Sequence, residues 1–396
     1  MTEKKEESKY LIGIKKICKA SESEAERIVY STDSSTIKGD ALLIAWPENA
    51  DNLQKLIRYV TKQNIGITIR GGGTNLVGSA VPQSTIVVDM SHFNKIRKLN
   101  LKEETVTVES GVVLDELNDV LAKYDYEFSS KPGGHAACTI GGMIATNAAG
   151  MLTLRHGRVV DQVVEMNIMD GTGKTFTING DEIKEFAGTE GAVAIILDAK
   201  LKINKKKELF DGVYEFSDIS ELAAKLNELK NDPDVVALEY INAIAAQISK
   251  LHPRHYLLVK YSSQKGNIDR QRASELWKLR ENLYSVLVEN GFQRIEDPLI
   301  PEENIEKFLS WLQERNIPAY GHISSGIFHP HFKRNQKKEL DDMIEAVKQL
   351  DGKLAGEHGI GILKKDFSSL FGSIRRIQNL KEKYDPFNIL NRGKFR

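Results

Sequence analysis

Two short segments near the C-terminal end of the chain hold residue types that could do chemistry together. Gly321-His322-Ile323-Ser324-Ser325-Gly326-Ile327-Phe328-His329-Pro330-His331 carries three histidines, and Gly356-Glu357-His358-Gly359-Ile360-Gly361 sets a carboxylate beside an imidazole between glycines. Imidazole and carboxylate together suit a divalent ion such as Zn²⁺, Mn²⁺ or Fe²⁺. An imidazole that titrates near neutrality can also act as a general base. The plainer reading is a set of histidines in turns or at the surface, and spacing alone leaves both open.

Glycine marks a second kind of chemistry. Ile69-Arg70-Gly71-Gly72-Gly73-Thr74-Asn75-Leu76-Val77-Gly78 follows an apolar run that reads as a strand. Glycine lets backbone N–H groups come close to a phosphate and adopt positive φ. A tight turn is the competing reading. A Rossmann loop is excluded, because its third glycine would stand where Leu76 is. Residues 132–150 read PGGHAACTIGGMIATNAAG, small at almost every position. Such a segment can lie against a flat ligand or close up a helix–sheet contact.

Taken together, these segments resemble the FAD-binding domain of the vanillyl-alcohol oxidase / p-cresol methylhydroxylase superfamily. The nearest pattern is its branch of glycolate oxidase FAD subunits and D-lactate dehydrogenases. The matching pieces are RGGGTNLVG at 70–78, CTIGG at 138–142, NAAG at 147–150, RHGRVVDQV at 155–163, GTEGAVAII at 188–196 and DPFNILNRGK at 385–394. They run in family order, and the resemblance covers nearly the whole chain from about residue 28.

The resemblance implies FAD as cofactor, with a pyrophosphate cradle formed by Gly71, Gly72, Gly73, Thr74, Asn75 and Leu76 and a further cofactor contact from Arg70. It implies isoalloxazine and adenine contacts from Pro132, Thr139, Gly142, Asn147, Gly150 and Ile195, and closure over the flavin by Asn391. Members with covalently attached flavin carry His where Thr74 stands, so the FAD is expected to be noncovalent. Ala194 replaces a usual glycine. The resemblance further implies that His322, His329 and Glu357 bind a divalent metal (Zn, Mn or Fe) and that His358 is the base. His331 is an additional candidate ligand. The family's Gly-Asp-Gly-Asn between the two histidines is altered here at Ser324, Ser325 and Ile327, which bears on the substrate.

A substrate carboxylate calls for a cation, best an arginine. Trp277…Arg280-Glu281 resembles the family's Trp…Arg-Glu helix, which makes Arg280 the leading candidate. Arg294 lies where a substrate-binding lysine is common. A surface ion pair is the alternative for either, and Trp277 reads as core.

The elements that must carry these residues can be read from periodicity. A helix is expected over 48–63, with Leu53, Leu56, Ile57 and Val60 on one face, and strands over Ile65–Ile69, Thr85–Asp89 and Thr105–Glu109. Gly111 precedes a helix with Leu114, Leu117 and Val120–Leu121. Val159–Met169 and Thr175–Ile178 read as a hairpin, and 193–203 as a closing strand. Beyond the lysines at 205–207, longer helical stretches appear at Ile219–Leu229, Leu276–Leu287, Ile305–Leu312 and Leu340–Leu350, with a strand at Tyr256–Tyr261.

The expected fold class is α+β: a two-part FAD-binding domain of the p-cresol methylhydroxylase type plus an α+β substrate (cap) domain. The expected division is 1–205, 206–380 and a segment 381–396 that returns to the FAD domain.

Composition limits the alternatives. The 396 residues carry 55 basic and 55 acidic side chains, so nothing global favours nucleic acid or an anionic membrane. MTEKKEES lacks the apolar run of a secretory signal, and no stretch reaches the ~18–20 apolar residues of a membrane span. A cytoplasmic protein is expected, with any membrane attachment peripheral. Two cysteines, Cys18 and Cys138, cannot hold a four-cysteine iron–sulfur cluster.

The leading functional reading is therefore FAD-dependent oxidation of a small 2-hydroxy acid of the D-lactate or glycolate type to the 2-oxo acid. Electrons would pass to a separate acceptor: a quinone, an electron-transfer flavoprotein or an iron–sulfur subunit. A homo-oligomer is compatible with this. The main alternative is an FAD-carrying electron-relay or scaffold subunit with a decayed substrate site. A related flavin enzyme acting on a phosphorylated lipid precursor would need a basic pocket and membrane binding, which the balanced charge does not favour.

Overall fold

The computed structural model describes residues 8–35, 37–354, 356–365 and 374–395. The polar first seven residues lie outside that set. Three sheets carry the site. The first has strands Lys19–Ser21, Asp40–Trp46, Gln83–Asp89 and Ile67–Arg70 in that spatial order, parallel except at its first pair. Helix Ala50–Lys62 packs on it through Leu53, Leu56, Ile57 and Val60, and the Asn49 side chain caps its start by accepting from Asn52 N–H. The strand Ile67–Arg70 therefore ends directly at the glycine run.

The second sheet is antiparallel, in the order Ile96–Asn100, Thr105–Glu109, Ala194–Lys202, Val163–Asp170, Thr175–Asn179. The expected hairpin is present, with one correction. Val159–Gln162 is a short helix, and the strand begins at Val163. The Asp161 carboxylate accepts from the Arg158 N–H at 2.9 Å and turns the chain, which overrides the strand preference of the two valines. The small-residue segment contains helix Ile140–Thr146, capped at its start by Thr139 and ended by Asn147 at φ 50°.

The third sheet is six-stranded: Phe210–Phe216, His255–Tyr261, Val235–Ile241, Ala319–His322, Ile327–Phe332, Arg294–Ile295. Helices Ile219–Asn231, Arg270–Glu289, Ile305–Glu314 and Lys337–Gln349 accompany it. The long Arg270–Glu289 helix buries Ala273, Leu276, Trp277, Leu283 and Leu287, so Trp277 is core on one edge as expected. The chain then comes back to the first sheet. Ile67 N–H donates to Ile389 C=O at 2.7 Å, and Asn391 N–H donates to Ile67 C=O at 2.8 Å.

Candidate active site

One cavity of about 560 Å³ runs between the glycine segments and the C-terminal cluster. That is within the usual ~300–1,000 Å³ of small-molecule sites. Its walls include Gly71, Gly72, Gly73, Thr74, Asn75, Leu76, Pro132, Thr139 and Gly142 at one side, and Arg280, His322, His329, Glu357 and His358 at the other. The residues singled out from two distant stretches of sequence thus share one space.

The cradle is built by the absence of side chains. A Cβ at Gly72 would run into the Ala137 carbonyl, and Gly73 adopts φ 68°, where L-residues are strained. The backbone can therefore press close to a ligand only because these positions are glycine. Asn75 organises the turn: its Oδ1 accepts from Val77 and Ser79 N–H, each at 2.9 Å. These features fit a dinucleotide pyrophosphate.

Five candidate cofactor residues do not line the cavity. Ile195 alternates with Ala194 and Ile196, which do; its own side chain packs in the core beneath the first sheet. Arg70 donates to Thr32 C=O at 2.6 Å and lies over the Tyr30 ring. Asn147 ends the helix and accepts from Val160 N–H. Gly150 packs against the Lys131 backbone. Asn391 donates to Glu190 C=O and accepts from Ile69 N–H, so it ties the C-terminal segment to the strand that feeds the cradle.

The C-terminal cluster is the opposite case. His322 ends strand Ala319–His322 and His329 sits in strand Ile327–Phe332, which pair with each other in register His322↔Ile327 and Tyr320↔His329. Glu357 lies between the two rings, 3.6 Å from His322 Nε2 and 3.2 Å from His329 Nε2. One ligand atom from each of the three falls within 4.8 Å of the others. His358 Nε2 is 3.3 Å from Glu357 Oε1, and its ring stacks on His329 at 5.1 Å. Among the described residues, the buried Glu357 Oε2 and His329 Nδ1 have no hydrogen-bond partner. Two imidazoles and a carboxylate with an unsatisfied oxygen fit a divalent ion.

The cluster perturbs its own acidities. Burial alone would raise the Glu357 pKa, but His322, His329 and His358 outweigh it and hold the carboxyl well below its usual range. Burial pulls His358 down, yet Asp297 and Glu357 push its pKa up overall. Glu239 and Glu357 do the same for His322 against its burial. His329 stays depressed by burial, and His331 is driven down to about 3 for the same reason. His331 stands outside the three-residue group: its Nδ1 faces Phe292 C=O at 3.0 Å.

Several partners escaped the sequence reading. Asp297 accepts from both Glu357 and His358 N–H at 2.7 Å and so holds the loop that carries them. Lys364 donates to Asp297 and lies 3.5 Å from Glu296, which is bound by Arg294. Arg294 is therefore spent on Glu296 and is absent from the cavity wall. Glu190 accepts from Ile360 and Gly361 N–H, and Asn75 Nδ2 donates to His358 C=O at 2.9 Å. Glu239, in Val235–Ile241, holds both His322 and Arg280. Its signal was a lone carboxylate in the apolar run VVALEYI.

Comparison with known proteins agrees with this layout. Residues 41–179 match the model of an FAD binding domain, and residues 264–395 match the C-terminal domain of FAD linked oxidases. Fold and sequence thus define an FAD-dependent oxidoreductase. The chain is 24% identical to D-lactate dehydrogenase of Archaeoglobus fulgidus over 89% of its length and 90% of the relative's. It is 24% identical to D-2-hydroxyglutarate dehydrogenase of Xanthomonas citri, covering 89% of each. It is also 25% identical to glycolate oxidase subunit GlcD of Bacillus subtilis, covering 94% of this chain and 93% of the relative. An alkyldihydroxyacetonephosphate synthase structure superposes with a TM-score of 0.70 at 16% identity, over 100% of this chain and 86% of the other, which shows a shared fold. The chain thus carries regions similar to the FAD binding domain and to the C-terminal domain of FAD linked oxidases. No described helix is long and apolar enough to cross a membrane.

Proposed function

We propose that this protein oxidises a small 2-hydroxy acid of the D-lactate or glycolate type to its 2-oxo acid with noncovalent FAD and a divalent metal. The observation that carries the reading is the shared cavity: a glycine-built cradle faces His322, His329, Glu357 and His358 across one space. The relatives named for D-lactate, D-2-hydroxyglutarate and glycolate chemistry support the substrate class.

In this reading the Gly71–Leu76 loop would hold FAD, which would supply a two-electron (hydride) acceptor. His322, His329 and Glu357 would hold the ion (Zn, Mn or Fe), which makes a coordinated hydroxyl more acidic. Arg280 binds the substrate carboxylate; its Nε is buried without a partner among the described residues. His358 Nε2 takes the hydroxyl proton, and Asp297 at 3.7 Å from Nδ1 steadies the ring that receives it. Cys18 and Cys138 are both buried and unbridged, so electrons leave through a separate acceptor such as a quinone, an electron-transfer flavoprotein or an iron–sulfur subunit. The division at 205 and 380 goes with this reading, with 381–396 serving the FAD side.

A relay or scaffold role would follow if the altered motif had ruined the substrate wall. Ser324, Ser325 and Ile327 are absent from the cavity lining, and Ile327 packs against Gly356. That placement favours the enzyme. The test is anaerobic addition of D- and L-2-hydroxy acids to FAD-loaded, metal-replete protein. Bleaching of the oxidised-flavin band by one enantiomer is expected. No bleaching with any of them contradicts the proposal.

A further inference from the structure

Glu239 is the one buried carboxylate of the third sheet that touches both halves of the proposed substrate grip. The register Tyr240↔Gly321 and Ile241↔Tyr320 sets Glu239 across from His322 on neighbouring antiparallel strands. Its Oε1 lies 2.5 Å from His322 Nδ1, and its Oε2 lies 2.5 Å from Arg280 Nη2. The Glu239 side chain is 2% exposed, against 11% for Arg280 and 12% for His322. Arg280 is fixed from a second side by Tyr320, whose ring centre lies 4.5 Å from the guanidinium carbon. Tyr320 and His322 are two apart on one strand and so share a face.

We infer that Glu239 is a positioning residue that sets the spacing between the arginine that takes the substrate carboxylate and the histidine that holds the metal. This rests on the function proposed above. In a 2-hydroxy acid the carboxylate and the hydroxyl sit on adjacent carbons. A site that reads that pattern must hold its two grips at a fixed separation. Glu239 supplies this, because a single rigid carboxylate is bonded to one grip through each oxygen. Toward His322 it fixes which ring nitrogen carries the proton: Nδ1–H donates to Glu239, which leaves Nε2 as the ligand atom on the Glu357 side. Such carboxylate–imidazole pairs behind a metal sharpen its binding. Toward Arg280 it clamps one end of the guanidinium fork and leaves Nε directed elsewhere. A pre-aligned fork loses less freedom when a carboxylate docks.

The two arms are read separately on FAD-loaded protein, with Zn²⁺ and Mn²⁺ as metal probes and the 2-hydroxy acid that bleaches the wild-type flavin as substrate. In Glu239→Ala, metal affinity is expected to fall about 10- to 100-fold. At saturating metal, KM for the acid is expected to rise roughly tenfold from the loss of pre-alignment. Glu239→Gln keeps the volume and serves if the alanine variant does not fold. Its amide sets an acceptor oxygen toward one partner and an N–H donor toward the other, so one arm is kept and the other lost. An alanine variant that changes one arm alone, or neither, overturns the inference, as does a glutamine variant with both arms intact. Wild-type protein that binds neither ion overturns the metal reading itself, and with it this inference; that result is read on the wild type alone.

Discussion

The two walls of the cavity are made by opposite means. The cradle wall is mostly backbone and small side chains, and its shape comes from positions where no Cβ fits, such as Gly72 against the Ala137 carbonyl. The opposite wall is dense with ionisable side chains, and each one is held by another: His322 by Glu239, and the Glu357–His358 backbone by Asp297. One wall gains function from close approach, the other from enforced charge. The difference predicts how each should fail. The cradle should lose its ligand whole, whereas the charged wall should lose rate or affinity in separable steps.

The sharpest break of that contrast is at His358. His358→Ala is expected to lower the rate of flavin reduction about 100- to 10,000-fold, as loss of a general base does. The bound flavin should keep its visible spectrum, since the cradle is untouched. Loss of FAD in this variant would show that the walls are not separable.

On the cradle side, Gly72→Ala places a methyl group at the Ala137 carbonyl. Overpacking of this kind costs about 1–3 kcal/mol, and FAD content and activity should fall together. Full FAD retention, measured by the flavin-to-protein ratio, would mean that the loop has room to spare.

The walls are also stitched together, and the stitch can be cut. Asn75 belongs to the cradle yet donates to the His358 carbonyl, and Val77 C=O accepts from Ile362 and Leu363 N–H. Asn75→Ala removes the bond to His358 and also the two that its Oδ1 accepts from Val77 and Ser79 N–H, each worth about 0.5–1.5 kcal/mol. A fall in Zn²⁺ affinity is expected together with a fall in FAD content. Unchanged Zn²⁺ affinity would make the stitch irrelevant to the metal loop.

The smallest effect concerns His331, whose pKa burial pushes from 6.5 down to about 3. The folded state keeps it neutral while the unfolded chain takes up a proton below 6.5. Its contribution to stability is therefore present above that value and lost as pH falls toward about 3. His331→Phe should flatten the loss of thermal stability between pH 7 and pH 5, roughly the range where an unperturbed histidine titrates. An unchanged slope would assign the acid sensitivity elsewhere.

How much of this was legible depends on sequence distance. Gly71–Leu76 and the 132–150 stretch advertise themselves because the small residues are contiguous. His322, His329, Glu357 and His358 are legible because each pair lies within a short motif. The partners are not. Glu239 meets a histidine 83 residues away, and Glu190 meets the Ile360 backbone across 170. Only the register of Val235–Ile241 on Ala319–His322 makes Glu239 more than a stray acid in an apolar strand. The short helix at Val159–Gln162 was hidden for a related reason, since one Asp161 hydrogen bond outweighs the preference of two valines.

The central claim is that both walls act on one substrate, the cradle through FAD and the charged wall through a metal. The most direct measurement is anaerobic flavin reduction by the active 2-hydroxy acid in two samples of one FAD-loaded preparation. One sample is metal-replete and the other is stripped by chelation, with removal verified by elemental analysis. The account predicts that the stripped sample stays oxidised over the time in which the replete one is fully reduced, and that Zn²⁺ or Mn²⁺ restores it. Equal reduction in both samples would contradict it.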